Sequence, residues 1–301
     1  MRALAIISLL FVLALMSVST YSRLESAGIG CADWPACYGL IGEAGDATPA
    51  LGGALERSVA GGLLLLMLAT TVVSLRQRRD RLLSLVLLGL AAFLAWQGVY
   101  SDELHSPAVV MGKLGGGFAL VGLLGWMIFR HARPHANASY KVRRWVVAAL
   151  LLLCIQIVLG GLTSANFAAT ACTSVPDCDG SWLPGSNLTT AFDLSRQHDV
   201  GSTGLALGGA ERADIHKLHR LAAAVTLLTA WIAGGLALAG RIGMTAVFVI
   251  AIAALEFSVG VAAILADLPI GIAVAHNLLA AILLLGLLRL HALCRNRQAL
   301  L

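Results

Sequence analysis

The feature that most constrains this chain is a series of apolar runs, each long enough to cross a bilayer as a helix. Eight of them occupy residues 4–20, 58–75, 82–100, 107–129, 145–165, 216–239, 243–265 and 270–290. Crossing the hydrocarbon core takes roughly 20 residues of helix. A barrel strand is about half as long and alternates in polarity. In lipid a helix satisfies its own backbone hydrogen bonds. Only 12% of the residues are charged and 58% are apolar, whereas a soluble domain carries about 25% charged residues. The expected fold class is therefore an all-α polytopic membrane protein with eight transmembrane helices. The first run has a second reading as a cleaved signal peptide, because Arg2 precedes it and small residues follow. The internal repeat described below favours keeping it as a helix.

The net charge of +5 does not point to nucleic acid, because the basic residues gather in alternate turns. Arg76, Arg78, Arg79 and Arg81 lie between the second and third runs. Arg130, Arg133, Lys141, Arg143 and Arg144 lie between the fourth and fifth. Arg241 follows the sixth, and Arg289, Arg295 and Arg297 lie at the end of the last. The remaining loops are poor in Lys and Arg. The positive-inside rule then places both termini in the cytoplasm and the long loops 21–57 and 166–215 outside. The expected location is a bacterial inner membrane. Few polar groups are apparent near mid-bilayer, which counts against an ordinary transporter.

Two halves of four helices can be superposed in sequence. Cys31-Ala-Asp-Trp-Pro35-Ala-Cys37-Tyr-Gly39 and Cys172-Thr-Ser-Val-Pro176-Asp-Cys178-Asp-Gly180 share the pattern C-x3-P-x-C-x-G. Each loop leads into a Leu-X-Arg helix start, Leu55-Glu56-Arg57 or Leu218-His219-Arg220. The fourth helix of each half follows Pro107 or Pro269. The interval from Glu56 to Lys113 equals that from His219 to His276, 57 residues. This is the signature of a duplicated unit. It predicts two pseudo-repeated four-helix bundles, residues 1–134 and 135–301, in parallel orientation.

His219 and His276 carry the sharpest chemical signal. Both lie near the outer ends of membrane helices, where ionisable groups are costly and usually functional. Imidazoles from two facing helices can take both axial positions of a heme iron. Ala222, Ala223, Ala224, Ala275, Ala280 and Ala281 leave room for a flat macrocycle. The alternative is that each histidine is hydrogen-bonded inside the bundle. Arg220 is either a partner for a heme propionate or an interfacial arginine that snorkels. His216 reads as a loop residue facing water, with a role beside His219 as the alternative.

Cys31 with Cys37 and Cys172 with Cys178 lie on the outer, oxidising side. Each pair is close enough for a local disulfide that staples its loop over its own bundle. A thiol–disulfide relay is the functional alternative, and free thiols are the third. Cys154 and Cys294 read as unpaired and inert.

Together these features resemble the heme A synthase family. The resemblance covers nearly the whole chain. It rests on the stretch from Arg23 to Pro35 as the first outer loop and on Ile215-His-Lys-Leu-His219-Arg220-Leu-Ala-Ala as the second HR helix. It implies eight helices in two halves, with a heme b in the C-terminal half held by His219 and His276. It also implies that the N-terminal half receives heme O and that a ring methyl is oxidised to a formyl group, giving heme A for terminal oxidases. The implied partners are a heme O synthase and an electron donor.

The N-terminal half departs from the family pattern. Glu56 stands where the first HR histidine belongs, and Lys113 where the second belongs. A shifted register equates Glu56 with an acidic family residue one turn earlier and leaves Val59 at the ligand position. Three readings follow for Glu56 and Lys113. They form an ion pair in an emptied pocket, they hold the substrate porphyrin as catalytic-site residues, or they are interfacial groups. The overall expectation is an oxidoreductase of the heme A synthase type. The alternatives are a non-enzymatic heme-delivery factor and a quinone-linked thiol oxidase.

Overall fold

In the computed structural model, residues 1–26, 50–100, 106–132, 135, 139–178, 180–195 and 209–295 are described. Their elements are α1 (Arg2–Ser26), α2 (Ala50–Gln77), α3 (Arg81–Tyr100), α4 (Pro107–Phe129), α5 (Tyr140–Ala165), α6 (Leu188–Phe192), α7 (Ala210–Ala239), α8 (Gly243–Leu265) and α9 (Ile270–Leu293). All except α6 are long and apolar enough to cross a membrane. The chain is an all-helical, multi-pass membrane protein, as the eight runs predict.

Local chemistry sets the helix starts. Pro107 opens α4 directly after Ser106, a position where its missing N–H costs nothing. The Ser139 side chain accepts a hydrogen bond from the Val142 backbone N–H and caps α5. Helix α7 begins six residues before its apolar run because its polar first turns find partners. Arg212 Nε donates to the Phe167 carbonyl at 2.9 Å, and Asp214 accepts from the Gly185 and Asn187 backbone N–H groups at 2.7 and 3.2 Å. Periodicity of apolar residues carries no trace of such a polar extension. The short α6 packs on α7 in the loop that joins α5 to α7 and was likewise not foreseen.

Helices α1 to α4 touch in a ring, through the pairs α1–α2, α2–α3, α3–α4 and α1–α4. Helices α5, α7, α8 and α9 do the same, through α5–α7, α7–α8, α8–α9 and α5–α9. The two rings meet where α4 contacts α5 and α9 and where α1 contacts α9. Helix α1 buries Ala5, Leu9 and Val12 in the common core, so it is an integral part of the bundle. That core also holds Met67, Leu120, Leu124, Leu153, Leu287 and Leu290. Large apolar side chains such as Leu65, Leu82 and Met244 point outward, which suits lipid as the surrounding solvent. At the arginine-rich end, Arg130 Nη1 lies 2.6 Å from Asp80 Oδ1 in the α2–α3 turn. Arg295 donates to the Arg130 carbonyl at 2.8 Å.

Candidate heme site

His219 stands ten residues into α7 and His276 seven into α9. At the helical rise these depths are about 14 and 9 Å. The two rings face each other across a cavity of about 330 Å³ lined by α1, α4, α5, α7, α8 and α9. Their centroids are 6.4 Å apart and their planes are perpendicular. Two imidazoles on opposite sides of one metal, each bound at about 2 Å, have ring centres about 6 Å apart. The observed spacing therefore leaves room for an iron atom between them.

Each ring rests on a glycine. A Cβ at Gly160 of α5 would lie 3.1 Å from His219 Cε1, and one at Gly260 of α8 would lie 3.0 Å from His276 Cε1. Both helices give up a side chain so that an imidazole can approach. Each ring also has one polar neighbour. Gln156 Nε2 lies 3.1 Å from His219 Nδ1 and 3.5 Å from its Nε2. Glu256 Oε1 lies 3.2 Å from His276 Nδ1. Gln156 Oε1, Glu256 Oε2 and His276 Nδ1 are buried without a hydrogen-bond partner among the described residues, so Glu256 and His276 approach closely without a formed hydrogen bond. The oxygen and nitrogen of an amide are interchangeable in shape. With Gln156 turned over, its oxygen accepts the Nδ1 proton of His219. In that state Nδ1 of each ring has a side-chain oxygen beside it, and Nε2 is the nitrogen left to act as a ligand. The cavity residues thus fit a bis-histidine heme.

Arg220 lines the same cavity, and its guanidinium is fixed by the loop between α5 and α7. It donates to the carbonyls of Ser174 at 2.7 Å, Asp177 at 2.8 Å and Cys172 at 2.8 Å. The loop is closed by a disulfide between Cys172 and Cys178, as both the staple and the relay readings of that pair expect. Cys31 and Cys37 lie outside the described residues. His216 corrects the sequence reading, for it is helical and only 4% exposed. The early start of α7 places it under the loop instead of in water. Cys154 and Cys294 are free thiols. Glu56 and Lys113 are both half-buried, on α2 and α4, and neither lines the histidine cavity.

Sequence reasoning missed Gln156, Glu256, Gly160 and Gly260. A signal was present, because Glu256 is the lone charged residue of α8. A carboxylate inside an apolar span is costly unless it has a partner, so it corrects the impression that few polar groups lie at depth.

Comparison with known proteins adds two findings. The family described as cytochrome oxidase assembly protein matches residues 53–288. The chain is also 32% identical, over 311 residues, to a heme A synthase of Shewanella oneidensis, with 95% of this chain and 94% of that protein covered.

Proposed function

Because the chain belongs to the cytochrome oxidase assembly protein family, we propose that it is a membrane oxidoreductase that converts heme O to heme A. The observation that carries the site assignment is the pair of half-buried imidazoles 6.4 Å apart across one cavity. His219 and His276 hold a heme b between α7 and α9, near the outer face. When bound, that heme supplies one-electron transfer. The chain's own residues orient the two rings, exclude water with the surrounding apolar helices, and close the mouth with the loop that Arg220 tethers. Arg220 and Lys217 also bring positive charge to the cavity rim, where heme carboxylates would lie. Oxidation of a methyl group to a formyl group with water as the oxygen source releases four protons and four electrons, so this route needs an electron acceptor in place of the electron donor expected from the sequence.

The matching helix rings support a duplicated four-helix unit with halves 1–134 and 135–301. The N-terminal half is the substrate side, with Glu56 and Lys113 in the positions that correspond to the two ligands. The location is a bacterial inner membrane, with both termini in the cytoplasm and the cysteine loops outside. A second reading, a heme-delivery factor without catalysis, is favoured by the absence of histidines at positions 56 and 113.

Coexpression with a heme O source separates the two. Heme A in extracts is the expected result, and heme B with heme O alone would support delivery. Glu56→Ala and Lys113→Ala are expected to lower heme A while leaving the bound heme b intact. His219→Ala or His276→Ala is expected to abolish the low-spin heme b spectrum. Retention of that spectrum in both variants would refute the ligand assignment.

A further inference from the structure

We propose that Glu256 is a positioning residue for His276. Its carboxylate accepts the Nδ1–H of His276, leaves Nε2 as the free nitrogen, and makes this histidine the stronger of two unequal iron ligands. The inference rests on the bis-histidine heme reading and deepens it.

The geometry is a matched pair with one difference. Gln156 and Glu256 each lie nine residues before the last residue of their helix. Each also lies four residues before the glycine that seats an imidazole, so the polar group and the seat share one helix face. Helix α5 thus offers His219 an amide and a bare backbone, and helix α8 offers His276 a carboxyl and a bare backbone. The difference is the charge.

A glutamate is an expensive choice at this place. Its side chain is 15% exposed, it is the lone charged residue of α8, and Oε2 has no partner among the described residues. Glutamine would fill the same volume at less cost, as Gln156 does across the cavity. Packing alone gives no reason for the carboxyl. Ligand chemistry does. A metal-bound histidine commonly gives its other N–H to a carboxylate, which fixes the tautomer and makes the imidazole a better electron donor. A negative group behind one ligand also favours the iron state of higher positive charge, so the ferric form is stabilised relative to the ferrous form.

The test uses purified full-length protein with its heme. Heme per chain, absorption spectra and the midpoint potential are measured for the wild type, Glu256→Gln and Gln156→Glu. Glu256→Gln keeps the shape and removes the charge. It is expected to retain heme and the wild-type melting temperature, with a midpoint potential more positive than wild type. Gln156→Glu adds a carboxylate behind His219 and is expected to move the potential the other way. This second variant keeps the idea testable if the first does not fold. A heme-loaded Glu256→Gln protein with the wild-type potential would overturn the role of Glu256 alone. Failure of Gln156→Glu to move the potential would also count against it. A colourless wild type would overturn the ligand assignment and this role together.

Discussion

At the scale of single residues, the site depends on what Gly160 and Gly260 lack. Each lies within a helix interior, where glycine is about 1 kcal/mol worse than alanine. Alanine would therefore favour the helices themselves. It would also put a Cβ at 3.1 Å from His219 or 3.0 Å from His276, tighter than the rings tolerate without tilting. Crowding of this kind costs about 1–3 kcal/mol, equivalent to roughly fivefold to 150-fold in affinity. Gly160→Ala and Gly260→Ala are thus expected to fold and to lose heme. Pyridine hemochrome content per chain checks this directly. Full heme occupancy in both variants would show that the glycines are not seats for the ligands.

At the scale of elements, the disulfide loop and α7 behave as one unit. The planar guanidinium of Arg220 reaches the carbonyls of Cys172, Ser174 and Asp177 at once. A lysine ammonium at the end of a flexible stem does not reproduce that fork. Hydrogen bonds to a charged group contribute about 1.5–3 kcal/mol each, so Arg220→Lys is expected to destabilise the loop by about 2 kcal/mol or more. The measurable outcome is faster reduction of the Cys172–Cys178 bond by a small thiol, together with a lower melting temperature. Unchanged reduction kinetics would mean that the loop stands without the arginine. This tether was not legible in the sequence. Its acceptors are backbone carbonyls, which no residue type announces, and Arg220 has equally good reasons to face lipid headgroups. The disulfide was legible, because a proline-containing gap of five residues between two outer cysteines brings them within bonding reach.

At the scale of the whole molecule, the sequence declared the eight spans plainly, because a bilayer imposes length and apolarity on each one separately. It also singled out His219 and His276, because a repeat makes an isolated pair of residues into a pattern. What stayed hidden was set by neighbours distant in sequence. The polar start of α7 needs Phe167, Gly185 and Asn187, and the role of Glu256 needs His276. The arginine-rich end of the bundle is a further case, where the α2–α3 turn, the end of α4 and the chain after α9 converge. There Asp80 is buried against Arg130 at 2.6 Å, and His131 Nε2 stands 4.0 Å from Asp80 Oδ2. Burial lowers the His131 pKa below the ordinary histidine range, and Arg79 and Arg130 lower it further, against an opposing pull from Asp80. The unfolded chain therefore binds a proton at this site more readily than the folded one, so stability rises with pH through this range. Conversely, stability falls as pH drops below the ordinary histidine value, until the folded-state pKa is reached. The imidazole is about half exposed, so the effect is modest. In detergent, the wild-type melting temperature is expected to fall more steeply than that of His131→Gln between about pH 7 and pH 5. Parallel curves for the two proteins would remove His131 as a source of acid sensitivity.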